Sequence, residues 1–485
     1  MLTSMKTLSD RTTTENGAAA YRNTGSDCLN FFAICGALRC RSDKEIIKLF
    51  LRAYAEDPDM AMRALFYTRD IRGGLGERRV FTVILRWLAE THPRSVQKNL
   101  ANVAEYGRFD DLLVLLDTPL EEELGAYLRH QLAKDLEAMA QGRSVSLLAK
   151  WLPSVNTSSP DTRDKAWIVR QLLGMGEKKY RRTLSSLRRY IDILETRMCE
   201  KDYSFRYRDL PGQALFRHRK AMLRNDETRY KCYLRSVALG KEHMNASVLY
   251  PYEIVREALN EPAASERSTL DTAWKALPDY TDNRNALVVV DGSGSMYWEH
   301  GDGIIPAYIA LSLGIYFAEH STGYFANHFI TFSETPQLVE LRGRDIVQKV
   351  QYCESFDEVA NTDLNKVFSL ILDAAVQNHL PQSQLPELLY IISDMEFDEG
   401  IRADDTVHEN ARRAFAEQGY RLPKIVYWNA TSRHNQYPVR MDERGTALVS
   451  GASPALFRQM MEQDMTPCSM MEFILNSKRY RDICA

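Results

Sequence analysis

The chain of 485 residues carries eight cysteines, and none of them form a Cys-x-x-Cys pair. A zinc site of the usual spacing is therefore not expected, and sparse, unpatterned thiols fit a reducing compartment, the cytoplasm. No apolar run approaches the roughly 20 residues that a membrane helix needs, so no membrane partner is expected. The opening stretch, MLTSMKTLSDRTTTENG, has no apolar core. It is not a signal peptide, and residues 1–26 are expected to be a flexible polar lead. A P-loop is also missing. In IRGGLGERR, residues 71–79, no Gly-Lys-Ser/Thr follows the glycines and no strand precedes them. Arg72, Arg78 and Arg79 are there to face a phosphate at a helix start or, as the simpler reading has it, to hold a helix-to-helix turn.

Overall charge is also low, at −3, but it is unevenly spread. Between Glu177 and Arg235 there are 17 Lys and Arg against 8 Asp and Glu, a balance of +9 that leaves −12 for the remainder. A basic stretch in an acidic protein points to a polyanion surface on one part, or to solvated helix faces.

Residues 27–264 read as successive helices. SDKEIIKLFLRAYAED opens with a capping box, Ser42 and Glu45, and puts Ile46, Ile47, Phe50, Leu51 and Tyr54 on one face. ERRVFTVILRWLAE, PLEEELGAYLRHQLAKDLEAMAQG and EKKYRRTLSSLRRYIDILETRMCE repeat the rhythm. A helix starting at Ser159-Pro160 carries Trp167, Val169, Leu172 and Leu173. Short breaks between such helices suggest stacked pairs, an α-solenoid of HEAT-like repeats. Residues 265–284 look like a linker. From 285 to 485 strands and helices alternate, which implies a mostly parallel, doubly wound α/β sheet.

In such sheets ligands bind where strand order reverses, at the strands' carboxyl ends. LVVVDGSGSM ends a buried strand at Asp291, and LLYIISD ends another at Asp394. Alternate residues Asp291, Ser293 and Ser295 on a glycine-rich turn can aim oxygens at one point, and Thr362 opens a nearby helix. Hard oxygen donors of low total charge suit Mg²⁺ or Mn²⁺. This set resembles the metal-ion-dependent adhesion site of von Willebrand factor A domains. The resemblance implies metal ligation by Asp291, Ser293, Ser295, Thr362 and Asp394, with one position left for an acidic group of a partner protein. Nearby, Trp298 and His300 are more readily loop packing, and Glu396 and Asp398 solvated acids.

A helical half followed by such a domain resembles the Ro family, in which a ring of HEAT-like repeats, the TROVE module, is closed by a von Willebrand A domain. RDIRGGLGERRVF and LAKWLPSVN are similar to an uncharacterised Ro-like family of this layout. The resemblance implies a monomeric, noncatalytic scaffold for small structured or single-stranded RNA, active in small-RNA stability or RNA quality control. The basic stretch then offers Lys178, Lys179, Arg181, Arg182, Arg188 and Arg189 on one helix, and Arg217, Arg219, Lys220 and Arg224 beyond it, for phosphates. Interleaved Tyr180, Tyr190, Tyr203 and Tyr207 are stacking candidates, or simply core. The alternatives are a metal-dependent protein-interaction module without RNA and, more weakly, a metal-dependent phosphatase. A phosphatase of the haloacid-dehalogenase type needs a second acid two residues after the first, where Ser293 stands. A serine hydrolase lacks its Gly-x-Ser-x-Gly elbow.

Overall fold

The computed structural model describes residues 5, 9–281, 285–299, 303–332, 335–356, 363–399, 405–459 and 465–485. Helices dominate residues 27–275. The helix Asp43–Glu56 starts with the expected box, Ser42 accepting from the Glu45 amide while Glu45 reaches back to the Ser42 backbone. Arg79–Thr91 buries Val80, Phe81, Ile84 and Leu88, and Glu121–Ala140 buries Leu124, Leu128 and Leu132. Trp167 of Pro160–Leu172 is exposed instead of joining Val169 in the core. The residues expected as a linker contain the helix Ala264–Lys275, which buries Leu270, Ala273 and Trp274, while residues 282–284 lie outside the described set. Its polar sequence hid this, because only one face is covered. Among the described residues no helix is long and apolar enough to cross a membrane.

Two strands, β1 (Arg11–Thr13) and β2 (Ala19–Tyr21), pair as an antiparallel hairpin. Six more make one sheet: β3 (Ala286–Asp291), β4 (His328–Phe332), β5 (Leu338–Glu340), β6 (Leu388–Ser393), β7 (Lys424–Asn429) and β8 (Thr446–Ser450). Their order is β5-β4-β3-β6-β7-β8, parallel throughout except for edge strand β5. Strand β3 is central and buried along all six residues, which is why Ala286 to Val290 are apolar without alternation. Strand order reverses between β3 and β6, so Asp291 and Asp394 flank the crevice at that point. SPALFRQMMEQ forms only the short 3-10 helix Pro454–Gln459 among the described residues.

The first described residues are not a free lead. Tyr21 and Tyr437 exchange backbone hydrogen bonds at 2.9 and 2.8 Å, and the Thr14 hydroxyl donates to the Phe397 carbonyl at 2.6 Å. Residues 11–21 thus add strand pairing to loops at the carboxyl edge of the α/β half. The last residues cross the other way. Arg479 Nη2 and the Tyr480 hydroxyl donate to buried Asp70 at 2.6 and 2.8 Å, and Asn99 donates to the Cys484 carbonyl at 2.6 Å.

That same Asp70 opens the RGGLG turn. Gly76 has φ +67°, and a Cβ on Gly74 would lie 2.1 Å from the Tyr67 carbonyl oxygen, so glycine is required at both. Around it Arg69 and Arg78 pair with Asp111 at 2.8 and 2.6 Å, Arg72 donates to the Glu105 carbonyl at 2.7 Å, and Arg79 to the Arg41 carbonyl at 2.9 Å. These arginines hold a turn. Replacing Asp70 by Ala strands Arg479 and the turn, and should cost about 3 kcal/mol of unfolding free energy by urea denaturation. A loss within experimental error would mean the crossing tail contributes nothing.

Candidate functional site

Parallel register between β3 and β6, Val290 opposite Ile392, carries two carboxylates to the same sheet edge. Asp291 is 1% exposed and Asp394 3%. Asp291 accepts from the Ser293 amide at 2.9 Å and from the Ser393 hydroxyl at 2.5 Å. The Ser293 and Ser295 hydroxyls lie 3.1 Å apart, and Ser295 also hydrogen-bonds to Asp394. Asp394 accepts from the Glu396 amide at 3.1 Å and from Arg433 at 3.0 Å. Four of the five expected metal ligands are therefore brought together. Thr362, like His300, lies outside the described residues.

Burial, and then the neighbouring Asp394, pushes the Asp291 carboxyl up to about 7. Burial also raises Asp394, opposed by Ser295 and Arg433. Two buried acids with this little compensation favour an added cation, and the donors offered are hard oxygens.

Three further residues border the site. Glu396 is buried, with one oxygen 2.8 Å from the His434 ring and the other accepting from the Glu15 amide at 2.8 Å. Ligand atoms of Glu15, Glu396 and His434 all lie within 4.8 Å of one another. Arg433 already supplies positive charge there, 2.8 Å from Glu15. Only Glu396 was in view from the sequence, as a solvated acid, and its burial corrects that expectation. Glu15, Arg433 and His434 come from segments far from both motifs, and only the fold joins them. Ser393 was legible in principle, as the residue before Asp394.

A second feature is a groove of about 1030 Å³ on the helical half. The helix Glu177–Ile191 lines it with Lys178, Arg181, Arg182, Arg188 and Arg189, facing Ser154, Asn156 and Thr157 of the LAKWLPSVN segment and its continuation. Most arginines of this protein pair with carboxylates, but Arg181 has only Glu177 at 3.8 Å. Among the described residues Lys178, Arg182 and Arg189 have no acidic neighbour within 4 Å.

Two expected phosphate contacts are already used. Arg188 donates to the Ala149 and Leu152 carbonyls at 2.8 and 2.7 Å, locking that segment to the helix. Arg219 is buried over the Phe216 ring and paired with Glu257, so desolvation and pairing withdraw it from solution. Lys179 is exposed off the groove. Arg217, Lys220 and Arg224 are exposed on Gly212–Asn225, with Lys220 near Glu257 and Glu266. Tyr180 and Tyr207 are core, their hydroxyls bound to the Pro153 carbonyl and Asp226.

A carboxyl raised above its ordinary value of 3.8 loses stability as pH climbs from that value towards the raised one. In EDTA the melting temperature should fall between about pH 4 and about pH 7 more steeply for the wild type than for Asp291→Asn. Equal slopes would show that Asp291 does not titrate there.

Two family profiles match the chain, both of domains of unknown function: DUF2828 over residues 14–128 and 171–285, and DUF7788 over residues 285–478. Each covers less than half of the chain. An uncharacterised protein of Acanthamoeba polyphaga mimivirus is 29% identical over 509 residues, spanning 95% of this chain and 86% of that one. Among solved structures, the crystal structure of the Deinococcus radiodurans Ro (RSR) protein is similar at 14% identity over 92% of each chain, with a TM-score of 0.43. That score is too low to establish a shared fold. The chain is thus similar over nearly its whole length to an uncharacterised viral protein.

Proposed function

We propose that this protein is a noncatalytic RNA-binding scaffold, Ro-like in layout, whose α/β half carries a divalent-metal adhesion site. The observation that carries the RNA reading is the row of cations on Glu177–Ile191. Lys178, Arg181, Arg182 and Arg189 follow one helix face into a groove, beside hydroxyl and amide side chains. Glu177 also lines the groove, 3.8 Å from Arg181, but Lys178, Arg182 and Arg189 have no acidic neighbour among the described residues, and such excess charge in a concave surface is an electrostatic footprint for phosphates. Tyr180 and Tyr207 are in the core, and Tyr190, exposed, and Tyr203 do not line the groove, so its side chains suit the phosphate backbone better than stacked bases.

At the sheet edge Asp291, Ser293, Ser295 and Asp394 would hold Mg²⁺ or Mn²⁺, and the ion would offer a position to an acidic group of a partner. Ser293 and Ser295 hydrogen-bond to each other, and to Asp291 and Asp394 respectively, with no histidine partner among the described residues, which favours ligation over nucleophilic catalysis. That geometry alone supports the second reading, a metal-dependent protein-interaction module whose groove is solvated surface.

A labelled RNA hairpin and labelled oligouridine, titrated at several salt concentrations, separate the two. Arg181→Glu, Arg182→Glu and Arg189→Glu together should weaken binding by about a hundredfold and flatten the salt slope by about three counterions. Arg217→Glu with Arg224→Glu should do much less. No RNA binding by the wild type would leave the interaction module as the function. In parallel, Mg²⁺ should raise the melting temperature of the wild type and not of Asp291→Ala. An equal response in both would remove the metal assignment.

A further inference from the structure

We infer that Arg433 is a tethered cation that competes with the divalent ion for Asp394, and that Glu15 receives it when the ion binds. This rests on the adhesion-site reading of Asp291, Ser293, Ser295 and Asp394. Arg433 lies in the loop after β7, and its side chain is 18% exposed. One terminal nitrogen donates to Asp394 at 3.0 Å and the other lies 2.8 Å from Glu15. Its Nε is buried and has no hydrogen-bond partner among the described residues, so the two carboxylates at the fork's ends hold the guanidinium. A guanidinium never deprotonates, so its charge leaves Asp394 only if the group moves.

Its two anchors differ in kind. Asp394 is part of the buried carboxylate pair, whereas the Glu15 side chain is 52% exposed and sits on the hairpin. The hairpin is fixed independently of that side chain, by the Glu15 amide on Glu396 at 2.8 Å and Asn16 on the Glu396 carbonyl at 2.7 Å. Glu15 is therefore a positioned acceptor with freedom to follow the guanidinium. An ion taking charge from Asp394 meets a positive group already on that carboxylate, and repulsion at such range is strong in a low-dielectric crevice. The contact with Asp394 weakens and the contact with Glu15 remains. Metal affinity is then set by the balance between a ligand carboxylate and one on the hairpin. Glu396, 2.8 Å from His434, adds negative charge on the side towards which the arginine retreats.

The test is calorimetric titration of Mg²⁺ and of Mn²⁺ into the full chain, for wild type, Arg433→Gln, Glu15→Gln and the double variant. Arg433→Gln should bind the ion about tenfold more tightly. Glu15→Gln should bind several-fold more weakly, because the arginine then rests on Asp394 alone. In the Arg433→Gln background the Glu15 change should matter by less than about twofold, since nothing is left to receive. Unchanged or weaker binding by Arg433→Gln overturns the inference. So does a Glu15 effect of equal size in both backgrounds, which is simple loss of a charge. If Arg433→Gln folds poorly, Arg433→Met takes its place in both backgrounds with the same outcomes expected. Absence of ion binding in the wild type, with Asp291→Ala no different, removes the adhesion site itself and this inference with it.

Discussion

Two carboxylates share a buried crevice, and much of the α/β half is arranged around that fact. The pairing of β3 with β6 fixes them there, and neither strand can slip without turning its apolar residues out of the core. Three serines, one backbone amide on each acid and one arginine then divide the charge. Burial, and then Asp394, still holds the Asp291 carboxyl above its ordinary range despite them. That shortfall of positive charge is the physical ground on which the proposed cation site rests.

The helical half solves its charge differently. Around the RGGLG turn every arginine is matched to a carboxylate or a carbonyl, and Asp111 alone serves two of them. Along Glu177–Ile191 that matching thins to the long Arg181–Glu177 pair and to Arg188, whose three bonds fasten the helix to the segment before it. The contrast between satisfied and unsatisfied arginines marks which surface is structural and which is available, and composition alone does not reveal it.

Periodicity made the helices and the βα alternation legible, because burial of one face or both writes itself into consecutive residues. Asp291, Ser293, Ser295 and Asp394 were readable for the same reason, as a motif at a strand end. What stayed hidden depends on long-range contact. Arg188 and Arg219 carry the same charge as their neighbours, and only packing separates them from Arg182 and Arg189. The Ala264–Lys275 helix reads as linker because its polar face dominates the sequence. Glu15 and Arg433 are separated by some four hundred residues and share no pattern.

The crossing of the two ends has a consequence for how the chain acquires its structure. Thr14 bonds to a residue 383 positions later, and Asp70 to one 410 later. The hairpin segment therefore waits for the sheet edge before it can pair, and the helical turn waits for Arg479 and Tyr480. Loop closure of that length is slow, and neither half is complete until the other is made. The closing step of folding thus also assembles the Glu15–Arg433–Asp394 chain, so a nascent or truncated protein would present its acidic crevice without its own arginine clasp fully anchored.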